Sequence, residues 1–134
     1  MCEVPKDLKY TKTHEWAKIT EDGYVLIGIT DYAQKELLDI VHIEFIADED
    51  SEIVAGEPIA DIDSMKTTES IFSPISGVIK RLNRQLEEEP DLVNKDPYGK
   101  GWFALIKPVL LEEEWEKLLS PEEYKKLIKA KKAH

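Results

Sequence analysis

The sequence predicts a mainly β domain followed by a helical C-terminal tail. Short β-rich runs separated by turn signals fill the first hundred residues, whereas leucines and a tryptophan recur at helical spacing over 110–119. The chain has 134 residues, which is enough for one ordinary domain and too few for two. We therefore predict one domain over 1–134, with a core of about 8–108 and a helical segment of about 110–132.

The first half of the chain reads as three strand regions and one short helix. Two β-rich runs, 8–20 and 24–29, flank the Asp22-Gly23 turn signal and predict a β-hairpin. Thr30 and Asp31 then compete as the cap of a helix of two or three turns, because Gln34 stands at capping-box spacing from Asp31. A third run covers 40–46 and leads into an acidic loop at 48–52.

The middle of the chain is arranged almost symmetrically around Lys66. Pro58 and Pro74 stand eight residues to either side of it, inside a wider Gly56 and Gly77 pair. Strand-like residues at 59–63 and 69–72 enclose polar residues at 64–68, which is typical of two strands that meet at a turn. Lys66 is therefore predicted at or near a hairpin tip.

The remaining β elements and the tail follow the same signals. We predict a further strand at 78–79, a short polar helix at 84–88, a loop at 89–99 and a strand at 102–106. Ser120-Pro121-Glu122-Glu123 combines a capping box with proline at the first helical position, so a last helix should begin there.

Composition excludes several classes of function. Asp and Glu number 28 against 18 Lys and Arg, and the formal charge of −10 argues against nucleic acid or anionic membrane as a partner. No run approaches the ~18 apolar residues of a membrane span, and the N-terminus carries no secretion signal pattern. A single cysteine, Cys2, is typical of a reducing compartment, so a cytoplasmic location is expected.

No catalytic or metal site is predicted. The chain has neither a nucleophile elbow nor a phosphate-binding glycine loop, and no zinc-binding histidine helix is present. Of the three histidines, His42 lies in an apolar strand run and His134 is the last residue. His14, in His14-Glu15-Trp16, is the histidine that we keep as a candidate functional residue.

Lys66 is isolated in an acidic stretch. Ten acids and no lysine or arginine occupy 36–65, and Lys66 is the only lysine or arginine between Lys35 and Lys80. An exposed amine among carboxylates stays protonated, which disfavours Schiff-base catalysis. A turn does present the amine to a modifying enzyme, and acylation would attach a long arm. The physical hypothesis is a swinging carrier.

The chain resembles the glycine cleavage system H protein family, within the wider class of lipoyl and biotinyl carrier domains. The similarity spans most of the chain, in motifs that keep the family's order: Tyr10 with His14-Glu15-Trp16, Gly28 to Gln34, Asp39-Ile40-Val41, Ser64-Met65-Lys66, Ser73 to Gly77, Asn83, Pro90, Leu92-Val93-Asn94, Pro97-Tyr98, Gly101-Trp102 and Lys107-Pro108.

The resemblance implies a fold and a cofactor. The fold would be a flattened β-barrel or sandwich of two antiparallel sheets, with short helices and the helical tail. Lipoic acid would be joined to Lys66 as an amide, giving an arm that reaches roughly 12–15 Å from the backbone. The chain itself would be a carrier, expected as a monomer, and not an enzyme.

The resemblance also implies partners. These are glycine decarboxylase, aminomethyltransferase, dihydrolipoamide dehydrogenase, and a lipoate ligase or lipoyl transferase. The arm would carry the aminomethyl group of glycine from the first enzyme to the second. Because that group is labile in water, the carrier should shelter it in a cleft. Glu15 is the candidate to pair with its ammonium, helped by His14 or Thr13.

Departures from the family pattern leave alternatives open. Met65 precedes the lysine where valine is usual, Leu38 replaces a common glycine, and Ser70 replaces an acid four residues after the lysine, with Glu69 one place earlier. A similar lipoyl carrier could serve lipoyl relay or sulfur-compound oxidation. Met65 also suits a biotinyl carrier, although Thr67 contradicts it. An unmodified acidic interaction domain is the remaining alternative.

Overall fold

The computed structural model describes residues 2–131 and the backbone of residue 132. In chain order the elements are β1 (Lys9–Tyr10), β2 (Glu15–Ile19), β3 (Val25–Ile29), α1 (Asp31–Leu37), β4 (Ile40–Phe45), β5 (Glu52–Ile53), β6 (Pro58–Ser64), β7 (Thr68–Phe72), β8 (Gly77–Leu82), α2 (Gln85–Glu88), α3 (Leu92–Lys95), β9 (Ala104–Pro108), α4 (Leu111–Glu116) and α5 (Pro121–Lys132). The strands form two antiparallel sheets, a six-stranded one ordered β1-β2-β3-β9-β8-β5 and a three-stranded one ordered β4-β6-β7.

The two sheets share one hydrophobic core. Ile27 and Ile106 of the large sheet and Ile43, Ile62 and Ile71 of the small sheet are fully buried in the same cluster. Burial of a branched aliphatic side chain is worth about 1.5–3 kcal/mol, so this layer stabilises the sandwich. The predicted mainly β fold of two antiparallel sheets is confirmed, and both sheets are open.

Gly77 allows strands β8 and β9 of the large sheet to approach each other closely. A Cβ atom built there would lie 2.1 Å from the carbonyl oxygen of Lys107, on the neighbouring strand β9. Because any side chain would collide with that backbone, glycine is needed for close approach rather than for an unusual φ angle. The glycine that frames Lys66 in the sequence therefore has a packing role.

Local capping signals explain where the two best-defined helices begin. Thr30 is the cap of α1, since its side chain accepts a hydrogen bond from the Ala33 amide, whereas Asp31 accepts one from the Gln34 side chain. Before α5, the Ser120 amide donates to Glu123, and the Glu123 amide donates to the Ser120 hydroxyl. The predicted capping box is confirmed.

A second apolar cluster attaches α5 to the large sheet. The rings of Tyr10 on β1 and Tyr124 on α5 stack with centroids 4.6 Å apart, and both side chains are fully buried. Leu119 pairs with Tyr10 through two backbone hydrogen bonds just before the helix. The tail is thereby built into the fold and reaches the residues around His14.

Two segments differ from the sequence prediction. The predicted loop at 89–99 contains the one-turn helix α3, because Val93 is fully buried and holds that turn in the core. The predicted strand at 102–106 begins only at Ala104, since the Trp102 amide bonds to Gly99 in a turn. Both errors arise because tertiary packing decides one-turn elements.

Two further findings concern the described part of the chain. None of its helices combines the length and apolar character required to cross a bilayer. Nor does it bring together three His, Cys, Asp or Glu side chains in an arrangement suited to a metal ion.

Candidate functional site

Lys66 lies at the tip of the β6–β7 hairpin. Asp63 and Thr68 are paired across the two strands, which leaves a short turn centred on Lys66. The Ser64 hydroxyl accepts the amides of Lys66 and Thr67 at 3.2 and 3.1 Å and donates to the Thr67 carbonyl at 3.0 Å. Ser64 therefore stabilises the turn through its hydroxyl, and the Lys66 side chain is exposed to solvent.

The turn is also braced from the side. The amide of Met65 donates to the carbonyl of Asp39 at 2.9 Å, which ties the hairpin tip to the segment between α1 and β4. Within that segment, Leu38 has φ 65° and ψ −153°, a backbone region that is essentially restricted to glycine. The position of Lys66 is thus set by the hydrogen bonds of the Ser64 hydroxyl and by the backbone bond between Met65 and Asp39.

A cleft of about 350 Å³ opens beside the hairpin. Glu69 of β7 lines it and stands three residues from Lys66, which places the two backbones at most about 10 Å apart. The remaining lining comes from the β1–β2 loop, from β2, β3, α1, β6 and β7, and from the end of α5: Lys12, Thr13, His14, Glu15, Ile29, Tyr32, Ala33, Glu36, Leu37, Ile62, Ser70, Phe72 and Lys131. The mobile end of a Lys66 arm would have this cleft within reach.

Glu15 is buried in the cleft wall. Its carboxylate accepts hydrogen bonds from the Thr11 and Thr13 hydroxyls and, at 3.1 Å, from the amide of Phe72 on the hairpin. Burial raises the pKa of Glu15, and these three hydrogen bonds oppose that rise. A carboxylate has about four acceptor positions, so roughly one remains for a ligand.

His14 connects the cleft wall to the C-terminal helix. Its Nδ1 lies 2.9 Å from the Tyr124 hydroxyl, and its Nε2 lies 3.3 Å from Lys131 Nζ. An ammonium group only donates, so Nε2 accepts and Nδ1 carries the proton and donates to the Tyr124 hydroxyl. That hydroxyl also shares a hydrogen bond of 2.6 Å with the Thr30 hydroxyl. Burial and, secondly, the charge of Lys131 lower the pKa of His14 to about 4.

The structure brings the sequence candidates together. Thr13, His14 and Glu15 all line the cleft beside the hairpin that carries Lys66. The role of Glu15 as an ammonium partner stays a prediction, because its carboxylate already accepts hydrogen bonds from Thr11, Thr13 and Phe72. His42 lies on β4 with its side chain exposed and is not among the cleft residues.

Sequence reasoning missed several cleft residues. Glu36 and Glu69 are exposed carboxylates on its lining, and Lys131 reaches it from α5. The lysine is 117 residues from His14, so no local pattern could have associated the two. Ser70 stands where the family commonly has an acid, and its hydroxyl donates to the Asp61 carboxylate at 2.7 Å.

Comparison with known proteins agrees with this arrangement. The family model described as Glycine cleavage H-protein matches residues 8–131. A Saccharolobus solfataricus protein named "Probable glycine cleavage system H protein 1" is 50% identical over 126 residues, covering 94% of this chain and 91% of that protein. A Rubrobacter xylanophilus protein named "Glycine cleavage system H protein" is 48% identical over 124 residues, covering 92% and 94%.

A solved structure has the same fold. The crystal structure of a glycine cleavage system H protein from Mycobacterium marinum superposes with a TM-score of 0.80 at 34% identity, covering 90% of this chain and 95% of that one. By its sequence and its fold, the chain belongs to the glycine cleavage H-protein family.

Proposed function

We propose that the chain is the lipoyl carrier of a glycine cleavage system, which transports the aminomethyl group of glycine on an arm attached to Lys66. The observation that carries this proposal is an exposed lysine on a braced turn at the edge of a cleft. The names of the relatives favour glycine cleavage over lipoyl relay or sulfur-compound oxidation. Met65 is the one residue that suits a biotinyl carrier, and Thr67 on the other side of Lys66 contradicts it.

The environment of Lys66 suits an acyl acceptor. Its backbone amide is fixed to Ser64, whereas its side chain extends into solvent, so a modifying enzyme meets an ordered turn with a mobile amine. A lysine used directly in catalysis is normally buried or placed beside another cation. Lipoic acid on Lys66 would supply a redox-active disulfide, and the fold would deliver it.

The cleft suits the sheltered state of such an arm. Ile29, Leu37 and Ile62 give it an apolar wall against which an arm could pack, and Glu15 presents its one remaining acceptor position. His14 stays neutral at physiological pH, since its pKa is lowered to about 4, so it adds no charge that would repel an ammonium. Thr13 orients the Glu15 carboxylate.

The proposed partners follow from this role. Glycine decarboxylase, aminomethyltransferase and dihydrolipoamide dehydrogenase would act on the arm, and a lipoate ligase or lipoyl transferase would attach it. The chain would act as a carrier domain over 1–134, with a cytoplasmic location and a monomeric state as further predictions. In this role the chain positions and shelters the arm, and the enzymes perform the chemistry.

Modification of Lys66 tests the attachment site. We expect the intact mass of protein from lipoate-supplied cells to rise by one lipoyl group, located by peptide mapping on the Lys66 peptide. Lys66→Arg should abolish labelling and shift the free energy of unfolding by at most about 0.5 kcal/mol, because an exposed tip residue contributes little to the core. Lys80→Arg, at an exposed position on β8, is the matched control.

Two results would contradict lipoyl attachment at Lys66, and a third would contradict the glycine cleavage role. A biotinyl increment on the same peptide would favour the other carrier class. If the mass of the Lys66 peptide does not rise in the presence of a competent ligase, the unmodified acidic interaction domain would be the remaining alternative. The fully lipoylated protein could also fail to support glycine-dependent carbon dioxide exchange with a cognate glycine decarboxylase. That result would assign the protein to another lipoyl-dependent pathway.

Release of the carried group tests the cleft. Glu15→Gln preserves size and can keep the Phe72 hydrogen bond, but it removes the negative charge, so water should release the aminomethyl group about tenfold faster. Glu52→Gln, at an exposed position on β5, should release it at the wild-type rate. Equal rates in the wild-type and Glu15→Gln proteins would remove Glu15 from the proposed shelter.

A further inference from the structure

Leu38 is held in a conformation that a leucine ordinarily avoids. Its φ of 65° and ψ of −153° lie in the region essentially restricted to glycine, yet its side chain is 56% exposed. Asn94 fixes this conformation from α3, because its side chain donates to the Leu38 carbonyl and accepts the Ile40 amide, each at 2.9 Å. The chain therefore maintains a strained backbone that presents an apolar group to solvent.

Two more exposed apolar residues adjoin the same place. Met65, immediately before Lys66, is 69% exposed, and its amide is bonded to the carbonyl of Asp39, the neighbour of Leu38. Val41 is 54% exposed and falls in the irregularity of β4, where the register against β6 shifts between Ile40 and His42. Leu38, Val41 and Met65 form what we call the tip patch.

The charges around the tip patch indicate the character of its partner. Lys66 is the only lysine or arginine between Lys35 and Lys80, and the exposed acids Glu36 and Asp39 lie beside the patch. An apolar contact with an acidic rim complements an apolar surface surrounded by basic side chains. Strain and exposed apolar area thus adjoin a single lysine within an acidic stretch of the chain.

We propose that the tip patch docks the enzyme that acylates Lys66, through an apolar surface with a basic rim. The proposal rests on the lipoyl carrier function proposed above. To join an acyl group to Nζ, the enzyme must bring its reacting centre within about 6 Å of the Lys66 backbone, and its surface then meets the neighbouring residues. Enzymes that act at the far end of an arm roughly 12–15 Å long need no such contact.

The chemical step is a simple acyl transfer. The Lys66 amine attacks the carbonyl carbon of an activated acyl donor, either an acyl adenylate or a thioester, and a C–N amide bond forms. The bond from that carbon to the donor oxygen or sulfur breaks, and its electron pair leaves with the donor. Starting from the ammonium form, the nitrogen releases two protons to solvent, one before the attack and one as the amide forms, and nothing is oxidised or reduced.

Initial rates of lipoylation test the docking role. The unmodified full-length protein is incubated with purified cognate lipoate–protein ligase, lipoate and ATP, and the lipoyl product is quantified by mass. Leu38→Gly and Met65→Ala should each lower kcat/KM about tenfold, mainly by raising KM, because an apolar contact is lost. Val54→Ala, at a 59% exposed apolar position beyond the opposite end of β6, should stay within about twofold.

Thermal unfolding of the same variants separates docking from folding. Leu38→Gly relieves the backbone strain, so its Tm should not fall although its lipoylation slows, and a purely structural leucine would not behave in this way. Wild-type lipoylation rates in both variants would overturn the proposal. So would a loss of Tm in Leu38→Gly together with normal lipoylation of Met65→Ala.

Other results identify a different occupant. If both variants are lipoylated normally but glycine decarboxylase then loads them slowly, the tip patch docks an arm-processing enzyme and the assignment is wrong. If the wild-type protein itself accepts no lipoyl group, the carrier function and this inference both fail. A normal wild-type reaction with unchanged variants refutes the inference alone.

Discussion

Removal of the Tyr124 hydroxyl should break the hydrogen bonds that join the C-terminal helix to the cleft wall and leave the apolar packing in place. The hydroxyl joins His14 Nδ1 at 2.9 Å to the Thr30 side chain at 2.6 Å, and Tyr124 is fully buried. In Tyr124→Phe the ring still stacks on Tyr10, at a centroid distance of 4.6 Å in the native protein. The substitution therefore isolates the hydrogen bonds.

The cost follows from the groups that lose a partner. The Nδ1–H of His14 is left without its acceptor, while Thr30 still receives the Ala33 amide. An unsatisfied buried polar group costs about 1–3 kcal/mol, and the half-buried His14 ring can recover part of this from water. We expect a loss of about 1–2 kcal/mol, or roughly 4–8 °C in Tm for a domain of this size.

Two measurements check this prediction. Urea unfolding should give the loss in free energy, and NMR titration should show the pKa of His14 rising from about 4 towards the ordinary histidine value as water reaches the ring. Tyr24→Phe removes the same hydroxyl from a half-buried position before β3 and serves as the control. A change below about 0.5 kcal/mol with an unaltered His14 titration would refute the proposed connection.

Two further substitutions test other parts of the structure. His14→Asn removes a ring whose folded pKa of about 4 lies below its unfolded value of about 6.5, so the unfolded wild-type chain takes up the proton first. The stability of the wild-type protein relative to the variant should fall by about 1 kcal/mol as pH drops through that window. Urea unfolding that gives the same difference in free energy between the two proteins at about pH 7 and about pH 4.5 would contradict this. Gly77→Ala places a Cβ 2.1 Å from the Lys107 carbonyl oxygen, so the free energy of unfolding measured with denaturant should fall by roughly 1–3 kcal/mol or more. An unchanged denaturation midpoint would show that β8 and β9 can move apart at little cost.

Short-range signals predicted the elements whose residues decide their own conformation. The hairpin around Lys66 needed only its flanking runs and the polar turn that Ser64 stabilises. The start of α5 needed only the reciprocal bonds of Ser120 and Glu123. In such cases the deciding contacts join residues a few positions apart, so they are visible in a linear pattern.

Where competing local signals were close in strength, neighbours decided the outcome. Thr30 rather than Asp31 caps α1, because Tyr124 reaches Thr30 from the last helix, whereas Asp31 is engaged by Glu3 and Gln34. Helix α3 escaped prediction because one turn has little intrinsic stability and depends on the burial of its own apolar side chains.

The sequence by itself determined which lysine stands alone on a turn, which runs become strands and which motifs mark the family. Only the tertiary structure decided that His14 meets Tyr124 and Lys131, that Glu15 bonds to the hairpin, and that these groups enclose a cleft. The physical reason is distance along the chain, because contacts between residues more than 50 positions apart depend on how complete sheets and helices pack and leave no periodic trace in the sequence.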